Sequence, residues 1–533
     1  MENDAIIEAL ELTGKLMELH NENPFKIKAY STAAFKLSKL RYDFAGKSKE
    51  DIEAIEGIGK GISSKIFELI TKESTEELEG LLKKTPDGVI EIMGVKGLGP
   101  KKVRQLWLEL QIESIGELLY ACNENRLVTL KGFGEKTQLQ VKNNIEFKLL
   151  NTNKFHYAAL EGPLIALVEA ITTLQPKLPI AIVGEMARKC EVIERIDILI
   201  GGDLTSDVTA MEMRLPLNVN YLFCSSSEFM YKQLELSSTS DHLHKIGFAT
   251  VKGKEFNSVQ KIYEALSLPF IEPELREGLS EVEVAKRNAL PKLIELNDLK
   301  GVLHNHTTYS DGVHSVKEMA DYCKELGYTY FGICDHSKSA FYANGLTSER
   351  VVQQQAEIDL LNSTDLDFKI LKGIESDVLN DGSLDYPDEI LQTFDFVVAS
   401  IHSNLKMSEE KATARLIKAI ENPYTSILGH PTGRLLLARK GYPIDHKKVI
   451  DACAANGVAM ELNAHPYRLD IDWRWIPYCL EKGVKVSINP DAHHKEGFKD
   501  MYFGVCVARK GMLDKDNCLN ALSLPELMHA FKK

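Results

Sequence analysis

Nine side chains beyond residue 300 have the types and spacing to hold metal ions over a phosphate ester. They are His304, His306, Asp311, His336, Glu375, His402, His430, Asp491 and His493. His304 and His306 stand two residues apart, as do Asp491 and His493, and on an extended strand such pairs point to one side. Imidazole suits zinc, manganese and iron(II), while a carboxylate such as Glu375 can bridge two ions and offset their charge. Up to three ions would leave positions open for water and phosphate oxygens, the requirement of metal-dependent ester hydrolysis. Asp335 and Asp377 are expected to orient histidines, and Arg434 and Arg439 are candidates to grip a phosphate.

Nearly every one of the nine follows a short apolar, β-branched run. The runs cover 301–303, 328–334, 368–374, 394–401, 425–429 and 484–489, and a seventh, 458–462, ends in Glu461 and Asn463. Helix-length amphipathic stretches separate them, a βα-barrel pattern in which chemistry gathers at the carboxyl ends of strands. Core histidines would not select strand ends. Eleven of the fifteen histidines lie beyond residue 300, which marks this region as a separate chemical unit. A helix over 290–299 is expected to lead into it.

At 533 residues three or four domains are expected. No apolar stretch approaches the length of a membrane span, the acidic start lacks a signal-peptide pattern, and nine scattered cysteines suggest a reducing cytoplasm. The net charge of −13 does not point to nucleic acid, although a local basic face would suffice for it.

Residues 1–150 read as nearly all helix, with three glycine turns. Gly57, Gly59 and Lys60 form the first, Gly97, Gly99, Lys101 and Lys102 the second, and Gly132 and Gly134 the third. Such turns aim the free N–H groups of the following helix at an anion, the logic of helix-hairpin-helix modules that hold DNA phosphates.

The segment 23–34 and the first two glycine turns resemble the N-terminal domain of family X DNA polymerases. In several members a lysine forms a Schiff base with an abasic sugar, and Lys65 falls at that position, a candidate lyase residue. The stretch from Gly184 through Arg188 to Asp197 is similar to the family's palm, and 271–278 to the end of its thumb. The resemblance implies two magnesium ions held by three carboxylates, but Arg195 and Glu212 occupy two of those positions here, and Glu185 and Ala187 replace a serine and an arginine. Two unit charges about 4 Å apart interact by about 4 kcal/mol at an effective dielectric of 20. Magnesium is therefore not expected in the palm, and nucleotidyl transfer is expected to be lost.

From 303 onward the motifs resemble the PHP (polymerase and histidinol phosphatase) domain that bacterial members carry. The expected organisation is an 8-kDa-like DNA-binding domain (1–85), helix-hairpin-helix fingers (86–150), a degenerate nucleotidyltransferase palm and thumb (151–290) and a distorted (βα)7 barrel (291–533). The resemblance implies a cytoplasmic, monomeric DNA-repair enzyme using Mn2+ or Zn2+, with Fe2+ a third option. It would act as a 3′–5′ exonuclease on gapped, nicked or 3′-end DNA, with AP-endonuclease or 3′-phosphatase action besides. The alternatives are an active family X polymerase with a PHP exonuclease, or a small-molecule phosphatase of the histidinol-phosphate type.

Overall fold

The computed structural model describes residues 3–39, 47–55, 58–149, 154–203, 215, 217–365 and 367–532. The chain forms two bodies, Met1–Asn123 with Leu127–Lys148, and Glu124–Arg126 with Leu149–Lys533.

The first body is helical. Thr75 caps the helix Glu76–Lys84 by accepting from the Leu78 N–H, with acidic residues in its first turn and lysines in its last, as the helix dipole favours. The helices Lys60–Lys72 and Pro100–Leu110 begin instead at Gly59 and Gly99, with no side chain closing their first N–H groups. Gly97 and Gly132 adopt left-handed φ values of 95° and 88° that only glycine takes without strain. A Cβ added at Gly59, Gly97, Gly99, Gly132 or Gly134 would meet nothing within 4 Å. These turns present bare backbone to the outside, as phosphate recognition requires. Gly57 lies outside the described residues.

In the second body, a three-stranded sheet places Ile196–Gly201 between Ile180–Val183, antiparallel to it, and Val219–Cys224, parallel to it. The helix Tyr157–Leu174 is apolar and long enough, by length and composition, to cross a membrane. One face buries Leu160, Leu164, Leu167 and Ile171 against Ile196, Ile198 and Ile200, and the expectation that no apolar stretch approaches the length of a membrane span does not hold.

The barrel follows. Seven parallel strands lie in sequence order: Gly301–Val302, Tyr330–Ile333, Lys369–Asp377, Phe396–Ser400, Ile427–Leu428, Ala459–Asn463 and Val486–Asn489. A parallel bridge between Asn305 and Ala492 joins the first to the last, so the sheet nearly closes. Connecting helices carry the expected apolar stripe. Val316–Glu325, opened by a Ser315–Glu318 capping box, buries Val316, Met319, Ala320 and Cys323. The expected helix over 290–299 is not formed. Pro291 disfavours helical backbone at Leu290, Ile294 donates to the Leu513 carbonyl, and only a 3-10 turn at Leu296–Asp298 remains.

The sheet domain and the barrel are joined by buried charge. The Lys510 ammonium, at the end of helix Met501–Lys510, reaches Glu277 Oε1 at 2.6 Å and the carbonyls of Arg188 and Glu274 at 2.7 and 3.2 Å. Arg509 pairs with Glu274 at 2.5 Å. All nine cysteines are free thiols.

Candidate metal centre

The barrel strands end where the ligands begin. His304 and His306 follow the first strand, His336 the second, His402 the fourth, His430 the fifth, and Asp491 and His493 the last, while Glu375 lies within the third. Asp311 sits in the loop after the first strand. His304 and Asp491 both adopt left-handed φ, 58° and 53°, an uncommon conformation for such residues and one that clusters at working sites.

These residues meet. Glu375 is the hub: His304 Nε2 lies 3.2 Å from its carboxylate, His336 Nδ1 2.9 Å, His402 Nε2 3.1 Å and His430 Nε2 3.0 Å. His306 Nε2 lies 3.0 Å from Asp491 Oδ1, and His493 Nε2 3.4 Å from Asp311 Oδ1. Four overlapping groups have their ligand atoms within 4.8 Å of one another: His306, Asp311, His336 and His493; His304, Glu375 and His430; His304, His306 and Asp491; and His336, Glu375 and His402. Together they use all nine residues.

The donor set fits divalent cations. His304 Nε2, His306 Nδ1, Asp311 Oδ2, both His336 nitrogens, Glu375 Oε2, His430 Nδ1 and His493 Nε2 are buried with no hydrogen-bond partner. Polar atoms left so cost stability unless something else satisfies them. Burial opposes a charge on His304, yet Glu461, Glu375 and Asp491 hold its pKa well above the usual imidazole value. His402 is buried too, and Glu375 and Asp377 bring it to about 9. Burial, with His493 and His336 alongside, pushes His306 down to about 4. Despite its burial Glu375 stays well below the carboxylate range, because His402, His304 and His336 face it. Protons and metal ions compete for the same electron pairs here. Manganese or zinc added back to chelator-treated protein is expected to raise its melting midpoint by a few degrees in calorimetry; an unchanged midpoint would deny the cluster a metal.

The supporting residues divide by what they hold. Asp377 accepts from His402 Nδ1 at 2.5 Å and from the Ser339 hydroxyl, fixing that ring. Asp335 touches no histidine side chain among the described residues. It accepts from the N–H and hydroxyl of both Thr307 and Ser310 and from Gln354, and so clamps the loop bearing Asp311. Glu461, to which no role was assigned from sequence, takes His304 Nδ1 at 2.6 Å and the His430 N–H at 3.0 Å. Its placement at the end of the seventh run was the available signal. Glu124 had none. It is buried against His493 Nδ1 and lies 3.5 Å from His465 Nε2.

Arg434 is engaged by Asp472 at 2.8 Å and by the carbonyls of Arg468 and Leu469, and Arg439 reaches the Gly433 carbonyl. Two arginines lie beside the cluster: Arg468, buried, with Nε 3.7 Å from Asp491 Oδ2, and Arg126, with Nε 4.0 Å from Asp311 Oδ2.

Beside the three-stranded sheet, Arg195 Nε lies 2.8 Å from Asp197 Oδ2, and Asn220 donates to Asp197 Oδ1 at 2.8 Å. Glu185 accepts from the Glu194 and Arg195 N–H groups, and Arg188 Nε is 3.5 Å from Glu277. Glu212 lies outside the described residues. In the helical body Lys65 pairs with Glu68 at 3.0 Å, which engages the amine that a Schiff base would need free. Lys101 approaches Glu18 at 3.9 Å, and Lys102 lies 5.3 Å over the Phe133 ring.

Known proteins match along the whole length. Models of a helix-hairpin-helix domain and of a SAM-like helix-hairpin-helix tandem match residues 1–75 and 89–143, and the PHP domain model matches 303–465. The DNA polymerase/3′–5′ exonuclease PolX of Bacillus subtilis (strain 168) is 34% identical, with 100% of each chain covered. A probable phosphatase of Acetivibrio thermocellus is 30% identical over 36% of this chain and 78% of its own. Probable phosphatase TTE1963 of Caldanaerobacter subterraneus subsp. tengcongensis is 35% identical over 24% of this chain and 51% of its own.

Proposed function

The chain belongs to the family X DNA polymerases that join helix-hairpin-helix modules to a C-terminal PHP domain, and on that premise we propose that its working centre is the barrel, a manganese- or zinc-dependent nuclease that trims DNA from the 3′ end. Abasic-site cleavage or 3′-phosphate removal would use the same residues. The observation that carries this reading is the convergence of nine candidate ligands from six strands, seven of them with a buried polar atom that has no hydrogen-bond partner. The relative's name pairs polymerase with 3′–5′ exonuclease.

Divalent ions in such a cradle lower the pKa of water toward neutrality and neutralise charge on phosphate. The chain's own part is to fix the donors. Glu461 and Asp377 each take one ring nitrogen, of His304 and His402, and leave the other facing inward. Asp335 sets the Asp311 loop, and Arg468 supplies positive charge where a phosphate would enter. Manganese-loaded protein on 5′-labelled single-stranded DNA is expected to give a ladder shortening from the 3′ end. Turnover of phosphate monoesters without any ladder would favour a small-molecule phosphatase, the reading supported by the probable phosphatases that match 36% and 24% of this chain.

The helical body would hold the DNA through the open turns at Gly59, Gly97 and Gly99 and the lysines beside them, Lys60, Lys101 and Lys102. DNA affinity is then expected to fall by roughly two orders of magnitude between about 50 and 200 mM salt, as counterion release requires; a salt-independent affinity in fluorescence anisotropy would remove phosphate contacts from the account. Lys65 would act as a lyase only by leaving Glu68. The enzyme would work in the cytoplasm, where its DNA is.

A further inference from the structure

The loop from His336 to Leu346 lines the mouth of the metal centre and is built rather than slack. Ser337 and Leu346 form a parallel bridge, and Ser337 donates to the Glu375 carbonyl at 3.0 Å. Gly345 packs so closely that a Cβ there would lie 1.9 Å from the Ser337 carbonyl oxygen. Arg350 holds the Asn344 carbonyl at 2.8 Å, and the Tyr386 hydroxyl donates to Leu346 O at 2.5 Å.

Two neighbouring rings in this loop face different surroundings. Phe341 is 80% exposed, the most exposed phenylalanine described in the larger body. The Tyr342 hydroxyl is buried and has no hydrogen-bond partner. The Tyr342 ring lies 6.3 Å from the His336 ring, and the Arg126 guanidinium sits 5.3 Å over it. The hydroxyl is therefore a buried donor with nothing to donate to. A buried donor left unpaired is costly, and such an exception calls for an explanation. The Phe341 and Tyr342 rings stand 6.0 Å apart at 78°. An exposed aromatic face and a free donor are thus placed one ring's breadth apart at the rim of the ligand cluster.

We propose that Phe341 and Tyr342 are the positioning pair for the 3′-terminal nucleotide of single-stranded DNA: the Phe341 ring stacks on the terminal base, and the Tyr342 hydroxyl donates to a non-bridging oxygen of the scissile phosphate. The assignment rests on the nuclease reading of the barrel. Stacking on an aromatic ring accepts any base, because every base has a π-face. It demands a splayed end, which a blunt duplex does not offer. The pair therefore gives the enzyme a preference for frayed or single-stranded 3′ ends without sequence choice, and a reason to prefer nucleotides over simple phosphate monoesters.

The test has a binding arm and a kinetic arm, both on the full chain. A single strand ending in 2-aminopurine, added without metal, is expected to lose fluorescence on binding wild type but not Phe341→Ala. With manganese, Phe341→Ala is expected to raise KM about ten- to hundred-fold for a base-bearing 3′ end and to leave an end carrying a baseless tetrahydrofuran nucleotide unchanged. Tyr342→Phe is expected to lower kcat about tenfold on both ends while metal content stays constant and the melting midpoint does not drop. A structural tyrosine would lower that midpoint. Undiminished quenching by Phe341→Ala, equal quenching by a blunt duplex, or an unchanged kcat in Tyr342→Phe would overturn the assignment. If wild type quenches 2-aminopurine but never trims DNA, the nuclease reading fails and the stacking site stands.

Discussion

Replacing Glu375 by glutamine is expected to abolish the proposed trimming of DNA 3′ ends, leaving less than about one hundredth of wild-type activity. The substitution keeps shape and removes one charge at the point where four imidazoles converge within 3.2 Å. Residues that merely support metal ligands cost about 10- to 100-fold in affinity or activity when changed, and Glu375 is the hub of the set itself. Elemental analysis is expected to show fewer bound ions than in wild type, with circular dichroism unaltered. A glutamine variant that trims within tenfold of wild type would remove Glu375 from the metal cradle, and the cradle could not then stand as assigned.

Primer extension is expected to be undetectable. With magnesium, a primed template and all four nucleotides, wild type should add nothing, and Asp197→Ala should change nothing. The reason is local charge. The Arg195 guanidinium lies 2.8 Å from the surviving carboxylate, where a magnesium ion would have to sit. A dication and a unit charge about 4 Å apart repel by about 8 kcal/mol at an effective dielectric of 20; solvent reduces that figure here, because the Arg195 side chain is 69% exposed, and the remaining repulsion disfavours the ion. Asn220 takes the other Asp197 oxygen, and Arg188 faces Glu277. Template-dependent extension that Asp197→Ala abolishes would sink this expectation.

The barrel was legible because its strands are short β-branched runs and its ligands sit at their ends, so that type and position spoke together. The Arg195–Asp197 contact could be read the same way, since residues two apart on a strand share a face. What stayed hidden depended on distant partners. Nothing near Arg434 announces that Asp472 and the carbonyls of Arg468 and Leu469 will occupy it. Nor does the sequence around Glu124 say that a carboxylate so far from the barrel will bury itself against His493. Asp335 was recognised by its place next to His336, but Thr307 and Ser310 surround it and turn it toward a loop rather than a ring. The helix expected over 290–299 failed for a local reason, Pro291, and a tertiary one, the bond from Ile294 to Leu513.

Lys510 ties the three-stranded sheet domain to the barrel. Its ammonium, 1% exposed, takes its counter-charge from Glu277 and its remaining bonds from the carbonyls of Arg188 and Glu274, all outside the barrel. Removing the sheet domain would strand that cation without its counter-charge, at a cost of several kcal/mol. Substitutions inside that domain leave the pairing intact while deletion of the domain does not, so one lysine makes the barrel depend on its neighbour.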